Sequence, residues 1–165
     1  MISRLSIQED LKQSILKRDE LRTGTLRMLL AAVANKEKEK RYKVSKAEPN
    51  LTEQELQAKS ALSSEELQDA VSSEVKKRRE AAEGFEKGGR KEQAEKEKQE
   101  MEMLLSYLPV QLSEDEIRQL VESAITKTGA VGSQDLGKVM GALVPQTKGK
   151  ADGALVSKIV KELLG

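Results

Sequence analysis

Between residues 132 and 153 the chain reads "GSQDLGKVMGALVPQTKGKADG", a run in which lysines and glycines recur at spacings suited to an anion. Gly132, Gly137 and Lys138 supply most of a nucleotide phosphate loop, whose pattern G-x-x-x-x-G-K-S/T follows a strand and opens a helix. Val139 stands where the metal-binding hydroxyl belongs, and an amphipathic helical pattern precedes the run instead of a strand. The residues are better used to begin a helix than to cradle a nucleotide. A second reading takes Lys138, Lys148 and Lys150, with Lys127, as cations converging on the turns that bracket a short helix. Lysines neutralise phosphates, and Gly149 and Gly153 allow a backbone to come close. No aromatic side chain lies there to stack a base, so recognition would rest on phosphate and shape. The competing structural reading makes Gly149 a turn residue and Gly137 and Gly141 small residues at a close helix crossing. On these residues alone, RNA binding and a plain interaction bundle stand side by side.

Other chemistry has little to work with. The 165 residues contain no histidine and no cysteine. That removes the commonest general base near neutral pH, the commonest transition-metal ligand and every thiolate reaction. The acids sit in mixed-charge helical runs, where solubility and i, i+4 pairing explain them. No carboxylate pair is set apart in an apolar setting, and no short loop gathers oxygens for calcium. No catalytic residue, metal site or cofactor is therefore expected. Net charge is +1, so attraction to a polyanion must come from a local patch. The start, "MISRLSIQEDLKQ", lacks an apolar core and carries acids early, unlike a secretion signal or transit peptide. No apolar run approaches the roughly 20 residues that span a bilayer, so the expected location is cytoplasmic.

The elements that must position these lysines are helical. Only Tyr42, Phe85 and Tyr107 are aromatic, and a core of Leu, Ile, Val, Met and Ala favours helix on helix over a sheet sandwich. Ser6 with Glu9 fits a capping box, the reciprocal side-chain and backbone bonds of a helix start, ahead of Ile7, Leu11 and Ile15. A second helical pattern begins near Glu20, carries Leu26, Leu29, Leu30 and Val33, and ends in the basic "KEKEKRYK". Lysines there complement the helix dipole, so a solvated helix end explains them. Pro49 and Asn50 interrupt the rhythm, and residues 43–63 read as a mobile or inserted connector. Within it "LTEQELQ" at 51–57 is nearly repeated by "LSSEELQ" at 62–68. Thr52 with Glu55 and Ser63 with Glu66 each offer a capping box, so the first copy predicts a short helix before the main one. Leu67, Val71, Val75, Ala82 and Phe85 form one stripe. Ala94, Met101, Leu104, Leu105 and Leu108 form another, and the paired glycines at 88 and 89 between them predict a helical hairpin ended by Pro109.

Beyond that proline the signals start afresh. Ser113 with Glu116 caps a helix bearing Ile117, Leu120, Val121, Ala124 and Ile125, closing near Gly129. Ser133 caps a short helix with Leu136, Val139, Met140, Leu143 and Val144, stopped by Pro145. Asp152 caps a last one with Leu155, Ile159 and Leu163. The expected fold is all-α. An N-terminal helical domain over 1–109, with long hairpins, precedes a small three-helix bundle over 110–165.

Three stretches carry a family resemblance. "RREAAEGFEKGGR" and "AEKEKQEMEMLLSYLPVQLSEDEI", followed by "DLGKVMGALVPQTKGKADGALVSKIV", resemble the YqeY-like proteins of the GatB/YqeY family over nearly the whole chain. A related glycine–lysine pattern marks the tail domain of the B subunit of the tRNA-dependent amidotransferase. The resemblance implies a helical protein related to tRNA, with no catalytic centre carried over. It also links the family to glutamine-dependent amidotransfer, a carbon–nitrogen ligase reaction for which these residues offer no mechanism. The matching positions are Gly137, Val139, Met140, Lys148, Gly149, Lys150 and Ala151. Asp152-Gly153 stands where the amidotransferase tail has Asn-Pro. The implied function is an accessory protein that binds tRNA or another structured RNA. The alternative is an interaction module that docks on a synthetase or amidotransferase.

Overall fold

A computed structural model of the chain describes residues 2–165. Those residues form eight α-helices and one 3-10 turn and contain no strand, so the fold is all-α. They divide into two units, Met1–Tyr107 and Leu108–Gly165.

In the first unit, α1 (Arg4–Leu16) and α2 (Glu20–Ala47) pair antiparallel across a three-residue turn. Arg18 takes φ +56° in that turn, and Asp19 caps α2 by accepting from the Arg22 N–H at 3.0 Å. Ser14 and Thr23 share a buried hydroxyl bond of 2.9 Å across it. The cap of α1 is Ser3, paired with Ser6, and not Ser6 with Glu9. Ser6 N–H donates to Ser3 Oγ and Ser3 N–H donates to Ser6 Oγ, both at 3.1 Å, so the helix begins a turn earlier. α2 runs past the basic segment to Ala47, and Pro49 then stops it.

Much of the segment expected to be a connector, 43–63, is helical: its start belongs to α2 and its middle forms a further helix. α3 (Glu53–Ser60) starts at the Thr52–Glu55 capping box and packs on α2. Arg41 bonds both Glu53 oxygens at 2.8 and 2.7 Å, and Lys59 pairs with Glu48. Lys40 reaches the Ala61 carbonyl at 2.8 Å and Glu66 at 2.6 Å, tying the α3–α4 link to α2. α4 (Ser64–Lys87) and α5 (Lys91–Leu105) make the hairpin. Its turn has Gly89 at φ +73°, with Arg90 N–H bonding Phe85 O at 2.8 Å and Gly89 N–H bonding Glu86 O at 3.0 Å. That double closure needs a left-handed residue, which glycine adopts without a Cβ penalty. Leu26, Leu29, Val33, Leu67, Val71, Val75 and Leu104 are buried between these helices. α5 ends at Leu105, four residues before Pro109, and Tyr107 folds back to donate its hydroxyl to Asp10.

Among the described residues, the buried acids of this core meet at one place. Arg78 lies between Glu100 (2.8 Å), Glu97 (3.6 Å) and Glu74 (3.9 Å), and Glu74 also takes Lys77 at 2.6 Å. Glu74 and Glu100 are buried, and a buried acid is tolerated only with such a partner.

The second unit is a three-helix bundle of α6 (Glu114–Thr128), α7 (Leu136–Thr147) and α8 (Gly153–Leu164). Ile117, Val121, Ala124, Val139, Leu143, Val156, Ile159 and Val160 form its core. α6 opens at the Ser113–Glu116 capping box and closes at Gly129, φ +64°. Two of the expected boundaries differ. Ser133 begins the 3-10 turn Ser133–Asp135 and does not cap α7, whose first turn has no side-chain cap. Pro145 does not stop α7, which continues to Thr147. The proline removes one bond to the carbonyl of Gly141. Gly141 is exposed, so water can take that carbonyl.

Candidate nucleic-acid interface

The turn after α7 is the best-defined feature of the lysine–glycine run. Gly149 adopts φ +71°, which permits the chain to reverse between Thr147 and Ala151. Lys150 and Ala151 N–H groups both bond the Thr147 carbonyl, at 2.9 and 3.0 Å. The segment before α6 then fastens the turn from outside. Gln111 Nε2 donates to Gly149 O at 2.8 Å, and Leu112 N–H donates to Lys150 O at 2.7 Å. The Thr147, Gly149 and Lys150 carbonyls are thus spent internally, while the side chains of Lys148 and Lys150 are exposed. Gln111 and Leu112 carried no sequence signal for this role, because their contacts are made across nearly 40 residues.

The lysines do not converge on one point. Lys138 lies in the first turn of α7 and Lys148 just past its last, about 15 Å apart along a helix rising 1.5 Å per residue. Lys127 ends α6 and so belongs with Lys138. The unit holds seven basic and seven acidic residues over 108–165, so any attraction is local. The acidic first turn of α6, Glu114–Asp115–Glu116, shares the end of the bundle occupied by Lys148 and Lys150, since Leu112 bonds the turn directly. Arg118 draws off part of that charge, 3.7 Å from Glu114 and 3.3 Å from Glu162. Glu116 is held below the usual carboxylate range by the Ser113 backbone N–H and hydroxyl. Asp152 fills the N-terminus of α8, accepting from Ala154 N–H at 2.7 Å and Leu155 N–H at 3.4 Å. That helix end is therefore closed to phosphate, and contact falls to the lysine side chains.

The motif positions divide by task. Val139 is fully buried, and Met140 and Ala151 pack against the core. Gly137 and Gly141 face solvent, and a Cβ on either would meet nothing within 4 Å. They are not at a helix crossing. Gly153 opens α8 and is likewise unobstructed. Among the described residues no group of three or more acids is placed to hold a metal ion.

Comparison with known proteins places this geometry. A family model described as "Yqey-like protein" matches residues 46–164, more than half of the chain, and the chain belongs to that family. The matched span covers α3 to α8. The chain is similar to "Altered inheritance of mitochondria protein 41, mitochondrial" of Eremothecium gossypii, 33% identical over 112 residues, 66% of this chain and 52% of that protein. The protein of the same name from Pyrenophora tritici-repentis is 27% identical over 163 residues, 96% of this chain and 79% of that protein. The chain thus spans about half of the first relative. Both relatives are named as mitochondrial, which does not fit a plain cytoplasmic expectation. No helix among the described residues is long and apolar enough to cross a membrane.

Proposed function

We propose that this member of the YqeY-like family is an accessory protein that binds tRNA or another structured RNA through the Lys148–Gly149–Lys150 turn. The observation that carries the reading is the turn itself: its backbone is fixed from both sides while two cationic side chains project from it. Preorganisation of this kind lowers the ordering cost of a phosphate contact. The resemblance of "GKVMGALVPQTKGKADG" to the amidotransferase tail supports RNA as the polyanion. Lys138 offers a separate contact near the other end of α7 for a ligand long enough to reach it. The proposed setting is an aqueous compartment that holds tRNA, as the cytoplasm and the mitochondrial matrix both do. Retention of total cellular RNA by the protein, followed by sequencing of what is retained, tests the reading. Enrichment of tRNA or of another folded RNA supports it, and retention no better than for a neutral control protein removes it.

A docking module is the second reading, favoured by one observation. Leu5, Ile15 and Leu16 are 77%, 49% and 69% exposed on α1, more apolar surface than a short solvated helix needs. Recovery of a synthetase or amidotransferase subunit after nuclease treatment, lost in Leu5→Ser/Leu16→Ser, favours this reading over RNA binding. Amidotransfer by the chain itself predicts a mass change of the aminoacyl group on mischarged tRNA in the presence of glutamine, and no residue here offers it a mechanism.

A further inference from the structure

The C-terminal half of α2 carries a second cationic surface, with the one aromatic ring of the chain that stands well out in solvent. Tyr42 is 61% exposed, and Lys46 Nζ sits 4.7 Å from its ring centroid. Of the basic residues around it, Lys40 and Arg41 are committed to Glu66 and Glu53, and Glu37 is neutralised by Arg4 at 2.6 Å. Glu39 is then the one other acid on this stretch of helix beside Lys36, Lys38, Lys43 and Lys46. Lys36 and Lys43 border a cleft of about 320 Å³ whose far wall carries Glu66 and Asp69. Lys38 and Lys46 lie at i−4 and i+4 from Tyr42, about 6 Å along the axis on each side. A base stacked on the ring would have a cation next to each flanking phosphate.

We propose that this surface binds single-stranded nucleic acid, with Tyr42 stacking one base and Lys38, Lys43 and Lys46 contacting the adjoining phosphates. An exposed ring bearing a lysine on it already shows the cation–π attraction that such platforms use, and a base adds a larger flat face. A paired base cannot reach the ring, so the strand must be unpaired there. An anionic membrane fits less well. Over 36–47 no Leu, Ile or Phe is available to enter an acyl layer, and Val44 is half-buried. The surface shares with the proposed function only its class of ligand, and none of its residues.

The test is anisotropy of a dye-labelled oligouridylate titrated with full-length protein at several salt concentrations. Tyr42→Leu weakens binding about tenfold, the loss of one stacked base, whereas Tyr42→Phe keeps it within about twofold because the ring remains. Lys38→Gln/Lys43→Gln lowers the slope of log affinity against log salt by about 0.7 per lysine. The Tyr42→Leu loss stays about tenfold in a Lys148→Gln/Lys150→Gln background, which separates this surface from the C-terminal turn. Because Tyr42 and Lys38 are exposed, thermal unfolding followed by circular dichroism stays the same in all variants. Equal binding by wild type and Tyr42→Leu overturns the proposal. So does binding to phosphatidylserine vesicles with none to the oligonucleotide, which would assign the surface to lipid.

Discussion

Gly137 and Gly141 make a quantitative case. Both are inside α7, both are exposed, and a Cβ at either position meets no atom within 4 Å. Neither has positive φ, so alanine adopts the same backbone without strain. In a helix interior Gly is about 1 kcal/mol less favourable than Ala. Gly141 is mid-helix and should yield most of that, while Gly137, in the first turn, should yield about half. The positions are four residues apart with no shared partner, so Gly137→Ala/Gly141→Ala should stabilise the second unit by about 1.5 kcal/mol. For a unit of 58 residues that raises the midpoint of its thermal transition by about 6–12 °C. Circular dichroism melts of wild type and the double variant measure it directly. A lowered midpoint would show that the glycines serve a close helix contact after all, and would refute the placement of this face in solvent.

Three further outcomes follow from the charges. Arg78→Met leaves Glu100 buried without its Arg78 partner, while Glu74 keeps Lys77, and costs about 3–5 kcal/mol, read as a lower urea midpoint; Arg78→Met/Glu100→Leu should recover part of it. Tyr107 is pushed up to about 12 from 10.0 by burial and by the Asp10 carboxylate. The folded state holds the proton longer than the unfolded one, so this contribution is complete below pH 10 and is lost as pH rises toward 12. Tyr107→Phe therefore flattens the alkaline limb of a stability–pH profile while lowering its plateau. Glu55, Glu66 and Glu116 are shifted the other way, by the Thr52 hydroxyl, the Lys40 ammonium and the Ser113 backbone N–H respectively. Their contribution is complete above about pH 4.5 and is lost as pH falls through the lower folded values, so Glu116→Gln should reduce the acid-side slope of chemical unfolding.

Four helix starts were legible from their caps, although Ser133 begins a 3-10 turn and caps no helix. Thr52–Glu55, Ser63–Glu66, Ser113–Glu116 and Asp152 all act as their side chains suggest, because a capping box is a bond between residues three apart and needs no tertiary information. Where two serines competed, at Ser3 and Ser6, the Ser3–Ser6 box forms and the Ser6–Glu9 one does not. Pro145 misled for a related reason. A proline forbids one hydrogen bond, and in the last turn of an exposed helix that bond is dispensable. Residues 43–63 read as a mobile or inserted connector because the bonds that hold them to α2 join Lys40, Arg41 and Glu48 to residues 11–26 positions away. The candidate site shows the same division. Residue types at Lys148–Lys150 were readable, but the fastening by Gln111 and Leu112, the acid turn beside it and the distance to Lys138 exist only in the folded bundle.

Salt dependence of tRNA binding tests the central claim most directly. Affinity for dye-labelled bulk tRNA should be measured from 50 to 200 mM salt for wild type and Lys148→Gln/Lys150→Gln. Two phosphate contacts contribute about 1.5 to the slope of log affinity against log salt, so wild type should lose about eightfold more affinity than the variant over that range. Absence of binding at 50 mM, or the same slope for both proteins, would contradict an RNA-binding role for this turn.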